Sequence, residues 1–280
     1  MTQTGVQVSL PVTFTGSNLP QLNWLPTQLG SSLVAWFDAA KNITLNGSQV
    51  SQWTDRTANA IAVLQATSAQ QPNLIASAQN TLPGVQNSLN TSAPMQLSSA
   101  AVVAACAFDR GTPFAVAVAM KRGTTTAHSD IVAHVDTLER GWVCGDGTSA
   151  VCNTGTNNGA IALAMYNSGS ALFAAHGSTV LAAGSSYIAM IQYDGSGAPA
   201  GISAVVNKNT ETMTVGANTP GSGNFQTAGG RLVMFSANPA SATYNSLDTI
   251  MEILIVNRLL TSGEQTLVDS YLNNKYAIHA

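Results

Sequence analysis

Charge is scarce in this chain. Ten Lys and Arg and thirteen Asp and Glu make up 8% of its 280 residues, against about a quarter in an average soluble domain. The surface must therefore be built from Ser, Thr, Asn, Gln, Ala and Gly, a composition suited to extended strands and many turns. With a formal net charge of -3 and no basic run, the chain is not built for nucleic acid. Cysteine is also rare. Cys106, Cys144 and Cys152 are odd in number and fall at no metal-ligand spacing. Cys144 and Cys152 either bridge a short loop or stay reduced, and all three read as structural. No run of 18 apolar residues is present, so no membrane partner is expected. No N-terminal stretch combines a charged start with a continuous apolar core. The expectation is a protein that stays inside the cell or leaves it by lysis.

What the chain has in quantity is apolar residues, 45% of the total, arranged as short runs between turn-formers. Leu33–Phe37 reads as a strand ending at Asp38. Ile43–Leu45 and Val50–Trp53 read as a hairpin joined through Asn46-Gly47, whose residues tolerate positive φ. Ile61–Gln65, Phe114–Met120, Ile131–Val135, Gly141–Cys144, Ile161–Tyr166, Ala171–Ala175, Ser186–Tyr193 and Ile202–Val206 follow at regular spacing. Gly145–Gly159 is nearly all turn-formers and reads as a long loop. Near the end, Met251–Val256 is apolar apart from Glu252. Thr261 and Glu264 then form a capping box, with Leu267, Val268, Tyr271 and Leu272 on one helical face. Many short strands with turns between them indicate a sandwich or barrel. Residues 1–30, with Pro11, Pro20 and Pro26, read as an irregular arm for anchoring or inter-subunit contact. Residues 31–280 read as one domain.

Two segments carry a family resemblance. W-F-D-A, a hairpin and V-S-Q-W-x-D open the domain; E-I-L-I-V-N-R-L-L, T-x-x-E and Y-L-x-x-K-Y close it. Together they resemble the concanavalin A-like, laminin-G-like jelly-roll domains of bacteriophage and bacterial surface proteins, over roughly residues 31–277. The resemblance implies an all-β fold: an antiparallel jelly-roll β-sandwich with one short C-terminal helix. It also implies opening and closing strands that lie side by side, with Trp36 and Trp53 supporting the scaffold there. Glu252 stands where the family places a structural carboxylate. Thr57-Ala58-Asn59 departs from the family's usual Ser-Gly-Asn, which points to a reshaped turn.

The hydrolase branch of such domains carries E-x-D-x-x-E on one strand, supplying the paired carboxylates that glycoside cleavage needs. Here Glu139, Glu211, Glu252 and Glu264 are isolated from one another, so no enzyme is expected. His128 with Asp130 and His134 with Asp136 share strand faces, as a metal or catalytic site would require. The segment reads better as a solvated edge. No cofactor is expected from the residues themselves. The resemblance admits calcium at the sandwich rim, with Asp146 and Asp194 as the available carboxylates. Trp142, Asp146, Asn153, Asn157 and Asn158, on or beside the long loop, form the candidate carbohydrate surface. The alternative is that Trp142 packs in the core while the asparagines fill turns.

These readings lead to a non-enzymatic virion-surface structural protein of capsid-decoration or head-fibre type. Such a protein would be made in the host cytoplasm and released by lysis. Its expected partners are capsid or other virion proteins, sister copies in a homo-oligomer, and cell-surface glycans. The alternative is a glycan-binding adhesin module of a tail fibre or bacterial surface protein.

Overall fold

A computed structural model describes residues 24–87, 97–99, 103–123, 129–136, 140–146, 159–167, 170–218, 230–236 and 246–280. Residues 1–23 of the expected arm lie outside these, as do His128, Cys152, Asn153, Asn157 and Asn158.

The chain opens with a 3-10 segment, Pro26–Ser32, followed by β1 (Leu33–Asp38), β2 (Ile43–Asn46), β3 (Gln49–Thr54) and β4 (Ala62–Leu64). Next come β5 (Asn73–Gln79), β6 (Leu82–Gln86), β7 (Leu97–Ser99), β8 (Phe114–Lys121), β9 (Asp130–Val135) and β10 (Gly141–Gly145). β11 (Ala162–Asn167), β12 (Ser170–His176), β13 (Ser186–Tyr193) and β14 (Ile202–Val206) follow. The chain closes with β15 (Asn209–Thr210), β16 (Thr214–Asn218), β17 (Arg231–Met234), β18 (Thr249–Val256) and α1 (Ser262–Tyr276).

All pairings are antiparallel and build two layers. One runs β1-β18-β8-β13-β14-β15. The other runs β2-β3-β4-β7-β17-β9-β10-β11-β12-β16. The β5–β6 hairpin links them, pairing Val85 with Ile250 at the start of β18 and Asn73 with Gln49 in β3. The fold is the expected antiparallel jelly-roll β-sandwich with a C-terminal helix, and its first and last strands pair directly, Trp36 opposite Leu254. No helix among the described residues is long and apolar enough to cross a membrane.

The apolar runs have a clear cause. Along β8, Phe114, Val116, Val118 and Met120 enter the core between the layers. Ala115, Ala117 and Ala119 turn outward beneath α1, joining Val268, Leu272 and Tyr276. A strand covered on both faces reads as continuous hydrophobicity instead of alternation. In the second layer, Trp142, Cys144, Leu163 and Met165 face inward, while Val143, Ala162, Ala164 and Tyr166 form a further buried cluster with Ala133 and Val135.

The structure alters several details. The hairpin turns through Gly47-Ser48, with Asn46 opposite Gln49 and Gly47 at φ 64. This is the positive φ that a tight hairpin demands at its first central residue. Trp36 and Trp53 support the scaffold in two different packing clusters. Trp36 faces α1, while Trp53 packs edge-on to Phe37 between the layers, their ring centroids 5.6 Å apart. Leu267 lies off the buried helical face, 42% exposed. β9 is not a solvated edge: it sits between β17 and β10, and Asp130, His134 and Asp136 are all buried.

Candidate functional site

The site grows from two local features that flank β1. First, β18 carries a bulge between Ile250 and Glu252. The extra residue turns both Met251 and Glu252 toward the helix side, where strict alternation would have sent one of them into the core. Second, residues 55–61 form a turn closed on the Asp55 carboxylate, which accepts N–H bonds from Thr57, at 2.6 Å, and from Ile61. The turn docks along β1: Arg56 N donates to Trp36 O at 2.7 Å and Asn59 Nδ2 to Val34 O at 2.8 Å. The departure at Thr57-Ala58-Asn59 thus marks a turn fastened to the first strand.

These features gather a polar cluster. Glu252, wholly buried, accepts from Trp36 Nε1 at 2.6 Å, Tyr271 OH at 2.9 Å and Tyr276 OH at 2.9 Å. Lys275 Nζ bridges Glu252 Oε2 at 2.7 Å and Asp38 Oδ2 at 2.9 Å. Arg56 Nη1 meets the same Asp38 oxygen at 2.8 Å and lays its guanidinium 3.7 Å from the centre of the Trp36 ring. Burial pushes the Glu252 carboxyl above its ordinary range, opposed by Lys275. Burial and the Glu252 charge together hold both tyrosine phenols protonated.

Over this cluster lies an open cleft of about 390 Å³, at the small end of the range for ligand sites. Thr27, Gly30, Ser31 and Leu33 form one side, and Arg56, Thr57, Ala58 and Asn59 the other, with Trp36 between. Gly30, at φ 63 and ψ -141, breaks the 3-10 segment and shapes its wall. Trp24, Pro26 and Leu29 hold that segment down: Pro26 and Leu29 are buried, and the Trp24 ring meets Tyr271 edge-on at 6.0 Å.

The residues singled out from the sequence lie elsewhere. Trp142 is fully buried against Phe108 and Phe114, and its Nε1 donates to Cys106 O at 2.9 Å. Its ring therefore offers no face to a sugar, and it packs in the core, as the alternative reading had it. Asp146, also fully buried, pairs with Arg122 Nε at 2.8 Å. Asp194 caps its own turn, accepting from Ser196 N at 2.8 Å. Asp194 follows the residue paired with Phe114, and Asp146 pairs with the residue after Lys121, so the two carboxylates sit at opposite ends of β8. That is roughly 20 Å along a strand of this length, and one ion does not take both. Among the described residues, no three His, Cys, Asp or Glu side chains gather as a metal site. The sequence reading missed the cleft, because a 3-10 segment and a docked turn leave no periodic signal. Asn59 and Arg56 in V-S-Q-W-x-D-R-x-x-N were the visible clue.

No protein-family model matches the chain, and no curated protein does. Among solved structures, the binding domain of Paraclostridial Mosquitocidal Protein 1 is similar at 10% identity and TM-score 0.55, over 89% of this chain and 53% of that one. The likeness is one of fold alone: a β-sandwich. The Botulinum neurotoxin serotype D binding domain is similar at 11% identity and TM-score 0.53, over 85% of this chain and 50% of that one. The Trypanosoma rangeli sialidase in complex with 2,3-difluoro-KDN is similar at 12% identity and TM-score 0.53, over 87% of this chain and 33% of that one. The chain thus spans about half the length of the two toxin domains and a third of the sialidase.

Proposed function

We propose that the chain is a glycan-binding module that performs no chemistry on its ligand, carried on a bacterial or virion surface. The observation that carries this reading is the cleft between Ser31 and Arg56, which gathers hydroxyl, amide and guanidinium groups around a single opening. Two toxin binding domains with the same fold support it. So does the state of the carboxylates behind the cleft. Asp38 and Glu252 are 2% and 0% exposed and tied into ion pairs, whereas glycoside cleavage needs two carboxyl groups facing the sugar. The test is a glycan array probed with the whole chain, beside Ser31→Trp, which fills the cleft from an exposed position. A restricted set of glycans is expected, with the signal lost in the variant while thermal unfolding stays unchanged. No glycan bound by the native chain would remove the reading.

A capsid-decoration or head-fibre subunit, released by lysis, is the second reading. Leu25, Leu259 and Leu267 favour it, being 46%, 40% and 42% exposed. They lie on elements in mutual contact through Trp24–Tyr271 and Ser32–Arg258, beside the point where residues 1–23 join. An exposed apolar group of this kind suits burial against a shell or a sister subunit. The check is deletion of residues 1–23 followed by particle incorporation and light scattering. Normal incorporation and an unchanged oligomeric state would sink the idea.

A further inference from the structure

We propose that the Arg56 cleft selects acidic saccharides, with the Arg56 guanidinium acting as a two-pronged donor for a carboxylate or sulfate on the sugar. The proposal rests on the glycan-binding reading above and names its ligand class. Three contacts fix the Arg56 group: its backbone N–H on Trp36 O, its plane on the Trp36 ring, and Nη1 on Asp38. Its side chain nevertheless stays 30% exposed at the cleft. With Nη1 committed, Nε–H and Nη2–H remain, and among the described residues neither donates to a protein acceptor. Those two bonds are parallel and spaced to meet two oxygens of one anionic group, the geometry that distinguishes arginine from lysine.

The surroundings favour an anion at that edge. Among the described lining residues Arg56 carries the only charge. Asp38 lies behind it, buried and shared with Lys275. Asp55 is turned into its own loop by the N–H groups of Thr57 and Ile61. On the facing wall, the Thr27 and Ser31 hydroxyls, both on exposed residues, stand ready for sugar hydroxyls. Stacking on Trp36 and the bond to Asp38 hold the guanidinium in place before a ligand arrives, so little side-chain entropy is lost on binding.

The test is titration calorimetry on the whole chain with sialyllactose, trigalacturonate and a sulfated disaccharide. Each is run beside its neutral counterpart: lactose, the carboxyl-reduced trimer and the desulfated sugar. At least one acidic probe is expected to bind tenfold or more tightly than its counterpart, less so as salt rises. Arg56→Lys, which keeps the charge and loses the fork, should cost at least tenfold toward the acidic probe and leave neutral sugars unchanged. Ser31→Glu, which adds a carboxylate to the facing wall without touching Asp38 or Lys275, should weaken the acidic probe similarly. Equal or tighter binding of the neutral sugars, or acidic binding unaffected by both variants, overturns the proposal while leaving the glycan reading intact. Silence from every probe, acidic and neutral, overturns both.

Discussion

Glu252 is held in the interior because four donors converge on it from β1 and α1. Removing such a group is costly for its partners as well. Glu252→Ala takes one of its two carboxylates from the Lys275 ammonium and leaves Trp36 Nε1 and Tyr271 OH without their acceptor, and losing one member of a buried ion pair costs about 3–5 kcal/mol. Urea unfolding should show a loss near that size, whereas an effect below about 1 kcal/mol would mean water takes the carboxylate's place. His134 gives a second residue-scale expectation. Burial holds its imidazole down to about 4, against 6.5 for an ordinary histidine. The unfolded chain therefore takes up a proton first as the pH falls. Stability from the neutral ring is complete above about 6.5 and drains away toward 4, a loss of up to about 3 kcal/mol. His134→Gln should lower the melting temperature at pH 7 yet flatten its dependence between pH 7 and 4.5; an equally steep slope would assign the acid sensitivity elsewhere. The sequence makes Glu252 visible as a lone acid in an apolar run, but not its partners, since Trp36 lies 216 residues away. His134 and Asp136 look like a wet edge because polar residues at every second place in a strand ordinarily are wet. Here Asp136 is satisfied by Arg140 Nε and Nη2 at 2.8 and 2.6 Å.

Elements whose signals are local were legible. The T-x-x-E box forms as read, Thr261 Oγ1 accepting from Glu264 N at 3.2 Å and Glu264 Oε2 accepting from Thr261 N at 2.9 Å. Arg258 adds a two-pronged contact that holds the Glu264 carboxyl down to about 2. Thr261→Ala is expected to cost about 1 kcal/mol, checked by thermal melting, with no change in glycan binding because the cap does not line the cleft. Elements that depend on a single backbone irregularity were not legible. Nothing in M-E-I-L marks the β18 bulge that turns Glu252 toward α1. Gly30 is another case: a Cβ there meets nothing within 4 Å, yet its φ is +63. Its combination of φ and ψ is close to a region reserved for glycine, so Gly30→Ala carries a purely conformational penalty of about 1–3 kcal/mol. Because Gly30 shapes the wall opposite Arg56, the same substitution should weaken binding in the cleft. Unchanged stability and affinity would show that the 3-10 segment relaxes freely.

At the scale of the molecule, the two ends close the sandwich on each other. β1 pairs with β18, α1 covers the outer face they share, and the cluster around Glu252 joins all three. The opening and closing motifs foretold this neighbourhood. The middle of the chain could not be ordered from its rhythm, because short runs announce strands but not partners. β7, only Leu97–Ser99, joins β4 to β17 and so completes the second layer. An architecture that pairs its extremes must close a very long loop before the pairing stabilises it, which makes folding slow. It also makes the last helix indispensable. Val268, Leu272 and Tyr276 are each fully buried and contribute about 2 kcal/mol apiece by area, a sum comparable with the whole stability of many domains. A chain ending at Arg258 loses that sum and uncovers Trp36, Ile188, Met190 and Leu254. It also leaves Glu252 with Trp36 Nε1 alone, once Tyr271, Lys275 and Tyr276 are gone. The truncated protein should show strand content by circular dichroism without a cooperative melt, and should bind a hydrophobic dye at 25 °C. A sharp transition within a few degrees of the full chain would mean the two layers are self-sufficient and the helix is an accessory.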